Sequence, residues 1–90
     1  MLNSKTVITK GIAAKIAENP VFAQEVTYYH GRYLLKDWGD ISENDKALND
    51  ESVASGSGDI MGAYETCEGR IWIKTEHDRS VTTILFPDEN

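Results

Sequence analysis

Two periods run through the apolar positions of this chain, and they change over at Ser55-Gly56-Ser57-Gly58-Asp59. Upstream the spacing is helical. Ile12, Ala13, Ile16 and Ala17 share one side of a short helix over 10–18, for which Thr9 is a suitable N-cap, and Lys5 to Thr9 ahead of it is a short β-prone stretch. Asn19-Pro20 supplies a cap followed by proline at the first helical position, where the missing amide costs nothing, so a second helix starts there. In it Phe22, Val26, Tyr29 and Tyr33 recur at spacings of four, three and four. That single stripe predicts the main core helix as far as about Lys36, with Gly39 of Asp37-Trp38-Gly39-Asp40 closing it. Ser42 and Asp45 resemble a capping box and open a third helix from Glu43 to about Val53, which can bury only Ala47, Leu48 and Val53.

Downstream the pattern is that of strands. Ile60 to Thr66, Arg70 to Glu76 and Val81 to Leu85 are joined by a Glu68-Gly69 turn and by His77-Asp78-Arg79-Ser80, which predicts an antiparallel meander. Pairing Cys67 with Arg70 and Glu76 with Val81 sets Tyr64, Ile71, Ile73, Ile84 and Phe86 on one face, to pack against the helices. Ala63, Glu65, Trp72, Lys74, Val81, Thr83 and Leu85 then share the other, with Trp72 directly across from Leu85. A slip of one residue would interchange the two sets. The expected fold is α+β, one domain of N-terminal helices packed on one face of a three-stranded antiparallel sheet, with residues 5–9 available to extend it.

Composition narrows the class. Ninety residues with 40% hydrophobic and 27% charged positions describe a small folded domain rather than a disordered chain. Apolar runs are far too short to span a bilayer and no apolar signal core follows Met1, so neither a membrane protein nor a secreted precursor is expected. A lone Cys67 suits a reducing compartment, which points to the cytoplasm, and with only His30 and His77 beside it a closed zinc site is not expected. The net charge of −6 is concentrated: residues 37–59 hold seven acids against Lys46 alone. With no basic stripe to displace counterions, direct nucleic-acid binding is not expected, nor is any cofactor.

Candidate chemistry is sparse. Asp40, Ser42, Asn44 and Glu51 fall at places one, three, five and twelve of a calcium loop, but Asp45 sits where glycine is required and the Ser-Gly run cuts the exit helix short. The acidic stretch from Asp37 to Asp59 as a whole makes either a solvated helix face or a carboxylate surface imitating the phosphate spacing of DNA. Thr75 to Ser80 packs Glu76, His77, Asp78 and Arg79 onto one hairpin loop, the material of a small hydrolase or nuclease, yet neighbouring strand residues point to opposite faces. Turn formation explains them as well, with Asp78 and Arg79 latching the loop to the Asp40 region. Gly56 and Gly58 lack the lysine and following helix of a phosphate loop.

Trp72, Val81 and Leu85 form an apolar patch that either the N-terminal segment or the third helix covers, or a partner meets. Trp38, Asp40, Asp45, Asp50, Asp78 and Arg79 complete the candidate interaction surface.

The motifs Trp38-Gly39-Asp40, Glu43-Asn44-Asp45-Lys46 with Asn49, and Ile71-Trp72-Ile73-Lys74-Thr75-Glu76-His77-Asp78-Arg79-Ser80-Val81-Thr82-Thr83-Ile84-Leu85-Phe86-Pro87 resemble a family of short uncharacterised bacterial proteins of plasmids and integrative elements. Some of these carry the label of the methylating subunit of a type I restriction endonuclease. Beyond Asn19-Pro20-Val21 the chain has no counterpart of the Asn-Pro-Pro-aromatic methylation motif, and it is too short for the cofactor-binding domain, so the resemblance implies genetic neighbourhood. The expected function is a non-enzymatic interaction or accessory module of a mobile element, bound to a protein partner. An acidic DNA-mimic inhibitor of a defence nuclease and a small hydrolase or nuclease are the alternatives.

Overall fold

Side-chain caps start each of the three α-helices where the sequence places them. In the computed structural model, which describes residues 4–90, α1 (Lys10–Glu18) begins with the Thr9 hydroxyl accepting from the Ile12 amide, and α2 (Pro20–Leu34) with Asn19 Oδ1 accepting from Val21 and Phe22. Ser42 accepts from the Asp45 amide at the head of α3 (Glu43–Ser55). The end of α2 differs from expectation. Lys36, at φ 65°, takes the left-handed position; its amide bonds Tyr33 O at 3.0 Å and the Asp37 amide bonds Arg32 O at 2.9 Å, the paired closure of a Schellman motif. Gly39 does other work: at φ 79° it forms a bridge to Ala63, and a Cβ there would lie 2.1 Å from the Ala63 carbonyl oxygen.

The sheet has four strands rather than three. β1 (Lys5–Ile8), β2 (Ile60–Thr66), β3 (Gly69–Thr75) and β4 (Val81–Leu85) lie in the order β1-β4-β3-β2, and β1 runs parallel to β4. The expected antiparallel meander is therefore part of a mixed sheet, because the helices between β1 and β2 act as a long crossover that a parallel neighbour requires. The β3–β4 register is the expected one, with Trp72 opposite Leu85 and Ile73 opposite Ile84. The first hairpin is displaced by two: Thr66 pairs with Gly69, so Cys67 and Glu68 form the turn. Neither turn residue takes a positive φ, and Gly69 at φ 99° completes the reversal in their place. A shift of two leaves every side chain on its expected face.

The inner face is apolar and takes the helices. Ile60, Tyr64, Ile71, Ile73 and Ile84 form one buried cluster with Ile12 of α1, Phe22, Val26 and Tyr33 of α2, and Trp38. Phe86, also expected here, is half-buried and stacks on Phe22 at 5.8 Å. At one end a chain of hydroxyls crosses the layers: Tyr33 to Thr75 at 2.6 Å, Thr75 to Thr82 at 2.8 Å, and Thr82 to Ser4. Burial pushes the Tyr33 hydroxyl up to about 12, which keeps it a neutral donor.

α3 docks by a polar contact. Its buried residue is Asn49, whereas Ala47 and Leu48 are exposed and Val53 is half-buried. Asn49 donates to Met61 O at 2.8 Å and accepts from Met61 N at 3.3 Å, standing in for a neighbouring strand. Further along that edge Ala63 exchanges backbone bonds with Trp38 and Asp40, the Glu65 carbonyl accepts from Tyr29, and the Cys67 amide donates to Glu25. The β2 edge is thus closed by groups from outside the sheet. No helix among the described residues is long and apolar enough to cross a membrane.

Candidate interaction surface

The outer sheet face is built from alternate positions of all four strands. The pairings put Val7, Thr83, Lys74 and Met61 in one row across the sheet and Leu85, Trp72 and Ala63 in the next. Lys5 and Val81 lie beside the first row, and Arg70 and Glu65 beside the second. Apolar side chains from each α-helix, Ile16 and Val53 among them, pack into the cluster on the other face. None of Val7, Met61, Trp72 or Val81 joins that cluster, and all four are half-buried. α3 borders the patch at Met61, and the described part of the N-terminal segment widens it by adding β1 at its side.

Trp72 is the centre of this face. Ala63 is 1% exposed and Leu85 2% exposed, and the indole between them is the side chain placed to shield both. Leu85 therefore contributes little accessible surface, while Val81 and Trp72 contribute more. Cations frame the indole along its own strand. Lys74 donates to Asn90 at 3.0 Å, and Arg70 binds Asp40 at 2.7 Å and Glu65 at 2.8 Å. Arg70, Val7 and Met61 were not singled out from sequence. Period-two parity identifies Arg70 from Trp72 and Met61 from Ala63 in either register of the first hairpin; Val7 required knowing that β1 joins the sheet.

The other nominated residues are dispersed. Trp38 is 2% exposed, meets Tyr33 edge to face, and donates its indole N–H to Asp50 at 2.9 Å, so this pair holds α3 to the core. Asp40 is tied to Arg70, while Asp45 is exposed on α3. Arg79, at φ 63°, donates to Ser52 O at 2.7 Å and Gly58 O at 2.6 Å. It latches its hairpin to the end of α3 and the loop beyond, not to Asp40 as the sequence suggests. Asp78 accepts from the Ser80 hydroxyl and amide within the turn, bonds that hold its carboxyl below the usual range.

Catalytic convergence is missing from the hairpin loop. His77 is exposed, its nearest carboxylate is that of Asp59 at 3.8 Å, and Arg79 is spent on backbone carbonyls. The Cys67 thiol is exposed, and the neighbouring Glu25 raises its pKa, which disfavours the nucleophilic thiolate. Among the described residues no three His, Cys, Asp or Glu side chains group as a metal site.

No protein-family model, no curated protein and no solved structure matches the chain.

Proposed function

We propose that the chain is a non-enzymatic interaction module whose protein partner docks on the Trp72 face of the sheet. One observation carries this reading: Val7, Met61, Trp72 and Val81 lie half-buried on the sheet face opposite the inner cluster into which Ile12, Phe22, Val26, Tyr33 and Val53 of the helices pack, and the C-terminal turn Pro87–Glu89 reaches this face at its side, where Asn90 bonds Lys74. Tryptophan at the centre of such a patch is the residue type that most often anchors protein interfaces. Lys5 and Lys74 border the patch on a chain of net charge −6, so the complementary surface is apolar with acidic groups at its rim. The resemblance to proteins of plasmids and integrative elements adds an accessory role in such an element, within a bacterial cytoplasm.

Less supports the alternatives. Of the acids between 37 and 59 on which a DNA-mimic reading rests, Asp37, Asp40 and Asp50 already hold internal partners. A hydrolase or nuclease would need the hairpin carboxylates and imidazole to converge on one pocket.

The test compares capture by the wild type, by Trp72→Ala, and by Asp40→Asn/Asp45→Asn/Asp50→Asn, followed by titration of the purified captured protein. Loss of a central tryptophan is expected to weaken binding by at least about 2 kcal/mol, roughly thirtyfold. Unchanged affinity of folded Trp72→Ala, with loss confined to the acidic variant, would transfer the site to α3.

A further inference from the structure

Where α3 leans on the β2 edge, the polar Asn49–Met61 contact leaves a groove of about 280 Å³, lined by Ile41, Asp45, Leu48, Asn49, Asp59 and Met61. Its size falls at the lower limit for small-molecule sites and suits one or two side chains. Its chemistry is twofold. Leu48 is 53% exposed although it stands on the lining, and with Ile41 and Met61 it supplies an apolar floor that no helix fills. Asp45 and Asp59 are both exposed carboxylates on that lining. Asp45 has no cationic partner among the described residues, since Lys46 on the same helix binds Glu43 instead. Asp59 has only the loose 3.8 Å approach of His77, and both side chains there are about three-quarters exposed.

An apolar floor beside unneutralised carboxylates matches a side chain with an alkyl stem and a cationic head. We propose that this groove binds an arginine or lysine, flanked by an apolar residue, on a basic segment of a partner protein. The stem lies against Leu48, Ile41 and Met61, and the head meets Asp45 and Asp59. The groove shares Met61 with the edge of the Trp72 face, but Val7, Trp72 and Val81 lie outside its lining, so it stands whether or not that face binds a partner.

The full chain is titrated with a short peptide in which leucine alternates with arginine, and followed by amide NMR. Shifts are expected at Asp45, Leu48, Asp59 and Met61 and at the Asn49 side-chain amide. Asp45→Asn/Asp59→Asn should weaken binding about tenfold, the loss of two partly exposed charge contacts, and Leu48→Ala should weaken it severalfold. Trp72→Ala should bind as the wild type does. A peptide alternating glycine with arginine should bind more weakly. Equal affinity for the two peptides, shifts spread over the acidic surface at large, shifts centred on Trp72, or no binding would each overturn the proposal.

Discussion

At the scale of single residues, special backbone positions were the least legible. The sequence holds a glycine at 39 where a helix stop was expected, yet the left-handed stop is Lys36, three residues earlier. A lysine there gives no local signal; the Schellman bonds from Lys36 and Asp37 impose the conformation. Lys36→Gly removes the Cβ penalty while keeping both bonds, so it should raise stability by about 0.5–1 kcal/mol in urea unfolding. Gly39→Ala is the opposite case, because the close approach to Ala63 leaves no space for a methyl group. Caps were legible, since Thr9, Asn19 and Ser42 act through their own side chains on amides two or three positions away.

At the scale of elements, periodicity located all three helices and the last three strands, but it could not say how α3 attaches. Its predicted contacts were apolar, whereas the attachment is Asn49 on the Met61 backbone, assisted by Asp50 on Trp38 and Arg79 on the helix end. Asparagine at 49 carries no pattern signal, because its value depends on a strand edge that only the fold brings near. Asn49→Ala strips both bonds and should cost about 2 kcal/mol, with α3 amides exchanging faster than those of α2. The same variant uncovers β2, so size-exclusion chromatography should show concentration-dependent association absent from the wild type. A monomer of unchanged stability would show that the pairing of Asn49 with Met61 is dispensable. The two-residue shift of the first hairpin belongs at this scale too: the turn chemistry at Cys67-Glu68-Gly69 was misjudged by sequence, and the sidedness of the sheet survived because it repeats every two residues.

Across the whole molecule, long-range closure was the hidden part. β1 lies beside β4, and just past β4 the Glu89 carboxylate accepts from the Thr9 hydroxyl at 2.6 Å and from the Gly11 amide at 2.9 Å at the start of α1. Those bonds, with one from the Phe86 amide, hold the Glu89 carboxyl below its ordinary value of 4.5. A carboxyl depressed by folding stabilises the native state above its unfolded pKa, and that contribution disappears as the pH falls through the folded value. Glu89→Gln should therefore be less stable than the wild type at neutral pH, and the difference should shrink below about pH 4. Urea midpoints measured across that range decide the matter, and a difference independent of pH would assign the loss to packing. Asp37, held low by Arg32, leaves the variant some acid sensitivity of its own.

The parallel pairing of Lys5 with Val81 also orders events at synthesis. Among the described residues β1 has its sheet neighbour in β4, more than seventy positions later, so β1 waits unpaired while the helices and the first hairpin form behind it. The sheet is complete only once residues 81–85 are in place, and a chain lacking them would leave β1 unpaired and present the edge of β3 that β4 covers to whatever else is in reach.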